Sequence, residues 1–127
     1  MMMRRTLFAA ALLAMLPMTA FADKVVKTGT FAKDSEGTVG TAQIVKLNDA
    51  SYVVRLGKDF AYNSGAPDVT IGLGNNGYIE KSNLGPLKAS KGAQDFALPA
   101  GFDPAKINQV FVWCRQFQVS LGVARLN

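Results

Sequence analysis

The sequence predicts an all-β domain, an antiparallel β-sandwich or partly open barrel of about 7–10 short strands. Three observations carry this. Runs rich in β-branched and aromatic residues recur roughly every 8 to 12 residues. Glycine, asparagine and Asp/Pro-containing turns separate them. Only one short stretch carries helix-start chemistry.

Taken in order, Val25–Phe31 (VVKTGTF) reads as a short edge strand or a lead-in to the sheet. Lys33–Gly40 is polar and glycine-containing, hence a loop or hairpin. Thr41–Leu47 (TAQIVKL) and Tyr52–Leu56 (YVVRL) flank the turn signal Asn48-Asp49-Ala50-Ser51, and together they make a hairpin. Gly57–Gly65 crosses to the next part of the sheet. Pro67-Asp68 precedes a strand at Val69–Leu73 (VTIGL). Gly72, Gly74, Asn75, Asn76 and Gly77 then read as turn residues that tolerate positive φ. Tyr78–Lys81 is weakly extended. Leu84–Lys88 is a short strand interrupted by Pro86, which has no N–H for a central ladder. Ala93–Leu98 alternates weakly and stops at Pro99. Asp103-Pro104 is an N-cap and N1 pair that opens the one helical turn. Val110–Val112 continues through Trp113 and Cys114 to Arg115. Phe117, Val119 and Leu121 alternate with polar residues, Gly122 permits a bend, and Val123–Leu126 closes the sheet.

Upstream of this domain, Arg4 and Arg5 precede the uncharged run Leu7–Pro17, and a small-residue site follows at Ala20-Phe21-Ala22. This is the order of a secretory signal peptide. The apolar run is shorter than the ~20 residues a membrane-spanning helix needs. The expectation is a signal peptide at 1–22 and a single domain at 23–127 in the periplasm or secreted. A retained N-terminal anchor is the alternative. No later apolar segment is long enough to cross a membrane as a helix.

Of the 14 Lys and Arg residues, twelve remain after Arg4 and Arg5 are removed, against nine acids, so the domain carries a net +3. The charges are scattered, and without a concentrated basic face nucleic-acid binding has no support. The chain has no histidine, and its five methionines all fall within residues 1–18. The domain therefore cannot build a Ser-His-Asp triad, a His-type zinc site, a blue-copper site or His/Met haem ligation from its own residues. No metal site is expected, and a conventional hydrolase is unattractive.

Cys114 is the one cysteine. It cannot form an internal disulfide, so in an oxidising compartment it is buried, modified or paired with another molecule. If Phe117, Val119 and Leu121 face the core, Trp113 and Arg115 share their parity. Cys114 then falls with Gln116, Gln118 and Ser120 toward a polar surface, and a bulge would reverse that assignment. Trp113 reads foremost as a core anchor, and Tyr52, Tyr62 and Tyr78 as sheet or rim residues. The acids Asp34, Glu36, Asp49, Asp59, Asp68, Asp95 and Asp103 read as turn and capping residues.

Four segments resemble one known family. Gly65-Ala66-Pro67-Asp68-Val69-Thr70-Ile71 is similar to its GPDL-x-V segment, and Leu84-Gly85-Pro86-Leu87-Lys88 to its LG-x-LK segment. Gly92–Pro99 (GAQDFALP) is similar to its G-x-Q-x-Y-x-LP segment, and Val110–Phe117 (VFVWCRQF) to its V-x-I-W-C-x-x-F signature. In this order they resemble the DM13 domain, also called the electron transfer DM13 domain. The resemblance implies an extracytoplasmic β-rich module that accompanies DOMON domains in larger proteins. It further implies that Cys114 takes part in redox chemistry, as a thiol or as ligand to a group such as haem. Cys114, Trp113 and Arg115 are then the candidate residues for holding that group. Many members carry a histidine in the early loop, where this chain has Asp34-Ser35-Glu36-Gly37.

Two functions follow as expectations. One is a periplasmic redox or electron-transfer accessory acting through Cys114 with an envelope redox partner protein. The other is a non-catalytic envelope binding or structural module with a buried structural cysteine.

Overall fold

The computed structural model describes residues 22–33 and 37–127. The expected signal segment lies outside the described residues except for Ala22, and so do Asp34 and Glu36. Nine strands are present among the described residues, in keeping with the expected all-β class. They are β1 (Lys24–Thr30), β2 (Thr38–Val39), β3 (Thr41–Lys46), β4 (Tyr52–Leu56), β5 (Ala61–Tyr62), β6 (Val69–Gly74), β7 (Gln94–Ala97), β8 (Gln109–Cys114) and β9 (Val119–Arg125).

The strands form one sheet in the order β1-β3-β4-β7, a second in the order β6-β8-β9, and a two-stranded ribbon β2-β5. Every pairing is antiparallel. The two larger sheets pack their inner faces together as an open sandwich. β3 and β4 contribute Ala42, Ile44, Val54 and Leu56, and β6, β8 and β9 contribute Ile71, Leu73, Val110, Val112 and Ala124, all 0% exposed. Phe31 and Phe60 fill one end, with ring centroids 5.8 Å apart. Each such aliphatic or aromatic side chain removed from water contributes about 1.5–3 kcal/mol before the entropy of ordering is set against it.

The lateral edges are tied. On one side the Thr28 and Asn127 backbones exchange hydrogen bonds of 3.1 and 3.0 Å, and Ala32 N–H donates to the Val123 carbonyl at 3.1 Å. The approach is close because Gly29 has no side chain: a Cβ there would lie 1.9 Å from the Arg125 carbonyl oxygen. On the other side Ile71 N–H donates to Gly85, Leu87 N–H donates to Val69, and Gln94 Oε1 accepts from the Lys88 and Ala89 N–H groups. Residues 84–89 thus bridge β6 to β7, so the fold sits between a sandwich and a barrel.

The β3–β4 hairpin is as the sequence predicts, with Asp49 Oδ1 accepting from both Ser51 N–H and Ser51 Oγ. Asp103 caps a 3₁₀ turn at Pro104–Lys106 by accepting from Ala105 N–H at 2.9 Å. Four expectations are corrected. The loop segments Lys33–Gly40 and Gly57–Gly65 contain the paired strands β2 and β5. Gly72 and Gly74 lie inside β6, and of the five residues read as turn only Asn76 and Gly77 take a positive φ. Tyr78–Lys81 and Leu84–Lys88 form no strand; each contributes one isolated bridge, Gly74 with Tyr78 and Thr70 with Pro86. The segments read apart on either side of Gly122 form one strand, Val119–Arg125, whose pairing with β8 skips Leu121 next to Gly122.

On the outer face of the four-stranded sheet, Arg55 holds Asp95 through Nε–Oδ1 and Nη2–Oδ2 contacts of 2.8 and 2.9 Å. That hydrogen bonding, with the Arg55 charge, lowers the Asp95 carboxyl below its ordinary value of 3.8. A depressed carboxyl contributes stability above its unfolded pKa and loses it as pH falls through the folded one. The side chains are 32% and 41% exposed, so the pair is worth under about 1 kcal/mol. Asp95→Asn is expected to lower stability by that amount at neutral pH. In urea titrations the difference should disappear once pH is well below 3.8.

Candidate functional site

The candidate residues sit at the end of β8, whose six residues Gln109–Cys114 are all buried. Alternation along the strand divides them between two environments. Val110, Val112 and Cys114 face the core, where they pair with Leu73, Ile71 and Val69 of β6. Gln109, Phe111 and Trp113 face the opposite side, where they pair with Gly74, Gly72 and Thr70.

Cys114 is 1% exposed and belongs to the core cluster. Its Sγ donates to the Pro67 carbonyl at 3.2 Å. The expectation that Cys114 faces a polar surface is therefore corrected. Two features break the parity it rested on. The chain reverses through a turn at residues 115–118, where Gln118 has φ 55° and donates from Nε2 to the Arg115 carbonyl at 2.7 Å. The β8–β9 register also shifts between Val112 and Trp113. Phe117 and Val119, read as core residues, are 61% and 46% exposed.

Arg115 lies outside the strand on that turn and does not share the core face. It grips Asp68 through Nε–Oδ2 and Nη2–Oδ1 contacts of 3.2 and 3.0 Å, while its N–H donates to the Asp68 carbonyl at 3.0 Å. Asp68 holds φ 53°, a left-handed conformation this double engagement sustains. The guanidinium thus pairs with a carboxylate. The thiol donates instead to the Pro67 carbonyl.

Trp113 anchors a separate aromatic cluster on the outer face. Tyr78 lies flat on it, with centroids 3.6 Å apart and planes 3° from parallel. Phe111 meets both rings edge-on, 5.8 Å from Trp113 and 5.6 Å from Tyr78. Gly72 makes room, since a Cβ there would lie 2.4 Å from Tyr78 Cε1. The Trp113 indole N–H is buried and finds no acceptor among the described residues. Sequence reading missed the roles of Tyr78, Phe111 and Gly72. Their signal was the run Val110–Trp113, apolar on both parities, which announces a strand covered on both faces.

The structure thus separates the three candidates. Cys114 is in the core, Trp113 is on the outer face, and Arg115 is on the turn. No group of three or more His, Cys, Asp or Glu able to hold a metal ion exists among the described residues. An open, mostly apolar recess of about 370 Å³ lies elsewhere, lined by Tyr52, Leu98, Pro99, Phe102 and Pro104 among others. None of the three candidates lines it. No helix among the described residues is long and apolar enough to cross a membrane.

The family model described as Electron transfer DM13 matches residues 30–126. The chain belongs to the DM13 family. No curated protein and no solved structure matches it. The match takes in the whole sandwich from the end of β1 onward, including Cys114 at the end of β8. The haem that the DM13 resemblance implies requires a deprotonated sulfur with one side bare to an iron. Here the sulfur is enclosed and its proton is engaged by Pro67. As folded, Cys114 does not fit an axial haem ligand.

Proposed function

We propose that this DM13 chain is a non-catalytic extracytoplasmic binding or structural module in which Cys114 is a packing residue. The observation that carries the reading is the closed thiol, 1% exposed and donating to a backbone carbonyl. A nucleophilic or redox-active cysteine works as an accessible thiolate with a stabilising positive charge beside it. Cys114 has neither feature, because its sequence neighbour Arg115 is committed to Asp68. Free cysteine in such surroundings behaves as a small apolar side chain with a weak S–H donor. The extracytoplasmic placement rests on the N-terminal sequence pattern of residues 1–22.

The electron-transfer reading draws its support from the family description. It requires the thiol to open, or a partner to reach it. The test is labelling of the folded protein with a chromogenic disulfide reagent, together with non-denaturing intact mass of protein taken from its own envelope. The expected result is a thiol that reacts only after denaturant is added, on a chain without added mass. Rapid stoichiometric labelling of the native protein, or a mass increment of haem, a thiol adduct or a covalent partner at Cys114, would overturn the structural reading and restore the redox one.

A further inference from the structure

The turn after β6 carries Asn75-Asn76-Gly77, exposed at all three residues. An asparagine followed by glycine is the sequence most prone to lose its side-chain amide, because the glycine backbone nitrogen is unhindered when it attacks the asparagine Cγ. Here both reacting groups are tied down. The Gly77 N–H donates to Gln109 Oε1 at 2.6 Å. Asn76 N–H donates to Asn108 Oδ1 at 2.9 Å, and Asn108 Nδ2 returns a bond to Asn76 Oδ1 at 3.1 Å. The clamp is rooted in the fold, since Gln109 is 6% exposed and Asn108 N–H donates to the Gly74 carbonyl at 2.9 Å.

We infer that Asn76 is a deamidation site held closed by the side chains of Asn108 and Gln109. The reaction is an internal substitution. The Gly77 nitrogen forms a bond to Asn76 Cγ, the Cγ–Nδ2 bond breaks, and ammonia leaves with the proton that Gly77 nitrogen gives up. Water then opens the cyclic imide at either carbonyl, giving aspartate or isoaspartate, with no oxidant or reductant involved. The nitrogen must first release its proton and turn its lone pair toward Cγ. Its N–H is held on a neutral amide oxygen, a poor base, and aimed at β8. Meanwhile Asn108 holds the Asn76 carbonyl in place.

The site has a consequence for the outer face. Tyr78 lies two residues after Asn76 and stacks on Trp113. Isoaspartate would insert an extra backbone atom at residue 76, two residues upstream of Tyr78, and add a negative charge. The stack would then part and expose the indole to water. The amide at position 76 therefore governs whether the aromatic cluster stays closed, and the clamp makes that change slow.

The test follows loss of amide at each asparagine by peptide mapping, in mildly alkaline buffer, on the folded protein, the urea-denatured protein and the folded variant Gln109→Leu. Asn63-Ser64, exposed at both residues, serves as the internal comparison. In the denatured chain Asn76 should react first. In the folded protein the order should invert, with Asn63 losing its amide ahead of Asn76. Gln109→Leu should accelerate Asn76 by about fivefold to tenfold, the equivalent of one net hydrogen bond, with a red shift in tryptophan emission that tracks the modified fraction. If Gln109→Leu fails to fold by circular dichroism, Asn108→Ala removes the other half of the clamp and carries the same expectation. Folded wild-type protein losing the Asn76 amide at the denatured-chain rate would overturn the inference, as would a folded clamp variant with an unchanged rate.

Discussion

Gly29→Ala is expected to cost about 3–5 kcal/mol, enough to leave the domain partly unfolded at room temperature. The new methyl carbon would lie 1.9 Å from the Arg125 carbonyl oxygen and 2.7 Å from its carbon. These are backbone atoms, so no rotamer change relieves the clash. β1 and β9 must move apart, and the Thr28–Asn127 and Ala32–Val123 hydrogen bonds go with them. Each is worth about 1 kcal/mol net. Phe31 and Leu126, now 4% and 7% exposed, sit beside the seam and would admit water. Gly65→Ala is the control, because its Cβ would meet nothing within 4 Å. It should change stability by less than about 1 kcal/mol, with a small gain from the stiffer unfolded chain. The measurement is the urea midpoint of each variant. A Gly29→Ala protein as stable as wild type would mean that the two sheets do not meet at β1 and β9.

What the sequence disclosed follows the strength of the local signal. The β3–β4 hairpin was legible because Ile44, Val54 and Leu56 alternate toward the core on either side of a turn with its own side-chain closure at Asp49. The 3₁₀ turn was legible because Asp103 and Pro104 supply the cap and the preset φ within two residues. The ribbon β2–β5 was not, since two residues per strand carry no period. Its reason for existing is tertiary: Thr38 Oγ1 donates to the Leu121 carbonyl at 2.8 Å, beneath Gly122, where a Cβ would strike the Thr38 side chain. The glycines of β6 misled for a related reason. Gly72 and Gly74 resemble turn residues in sequence, yet they lie in a strand and keep its outer face low enough for Tyr78 and Phe111 to lie on it.

The candidate site was legible in identity and not in geometry. The WC pair, and the DM13 family it resembles, pointed at Trp113 and Cys114. Which face each takes depends on a count of two along the chain, and such a count holds only while the strand continues. Carrying it back from Leu121 crossed both a chain reversal and a register shift, and each can invert the faces. Counting inside β8 alone gives the right partition, with Cys114 on the side of Val110 and Val112.

That partition makes Trp113 the other position of large effect, and it allows the indole ring to be separated from its N–H. Trp113→Ala should cost about 3–5 kcal/mol, the usual range for deleting a buried aromatic whose neighbours cannot collapse into the space. Tyr78 loses its stacking partner and Phe111 its edge contact. Trp113→Phe should cost far less. It keeps a ring under Tyr78 and removes a buried N–H that has no acceptor, a group whose burial costs about 1–3 kcal/mol. The smaller ring and the relieved donor offset one another, so Trp113→Phe should lie within about 1 kcal/mol of wild type. A double-mutant cycle with Tyr78→Ala should return a coupling of about 0.5–1.5 kcal/mol for the stack. Urea titrations give all of these values. Trp113→Phe falling as far as Trp113→Ala would mean that the indole N–H has a partner worth keeping. In either variant that folds, the Cys114 thiol should stay closed to labelling, because it lies across the sheet from the cluster and is held by Pro67 rather than by Trp113. Opening of the thiol in Trp113→Phe would instead tie the two faces together and return the pair to consideration as a single site.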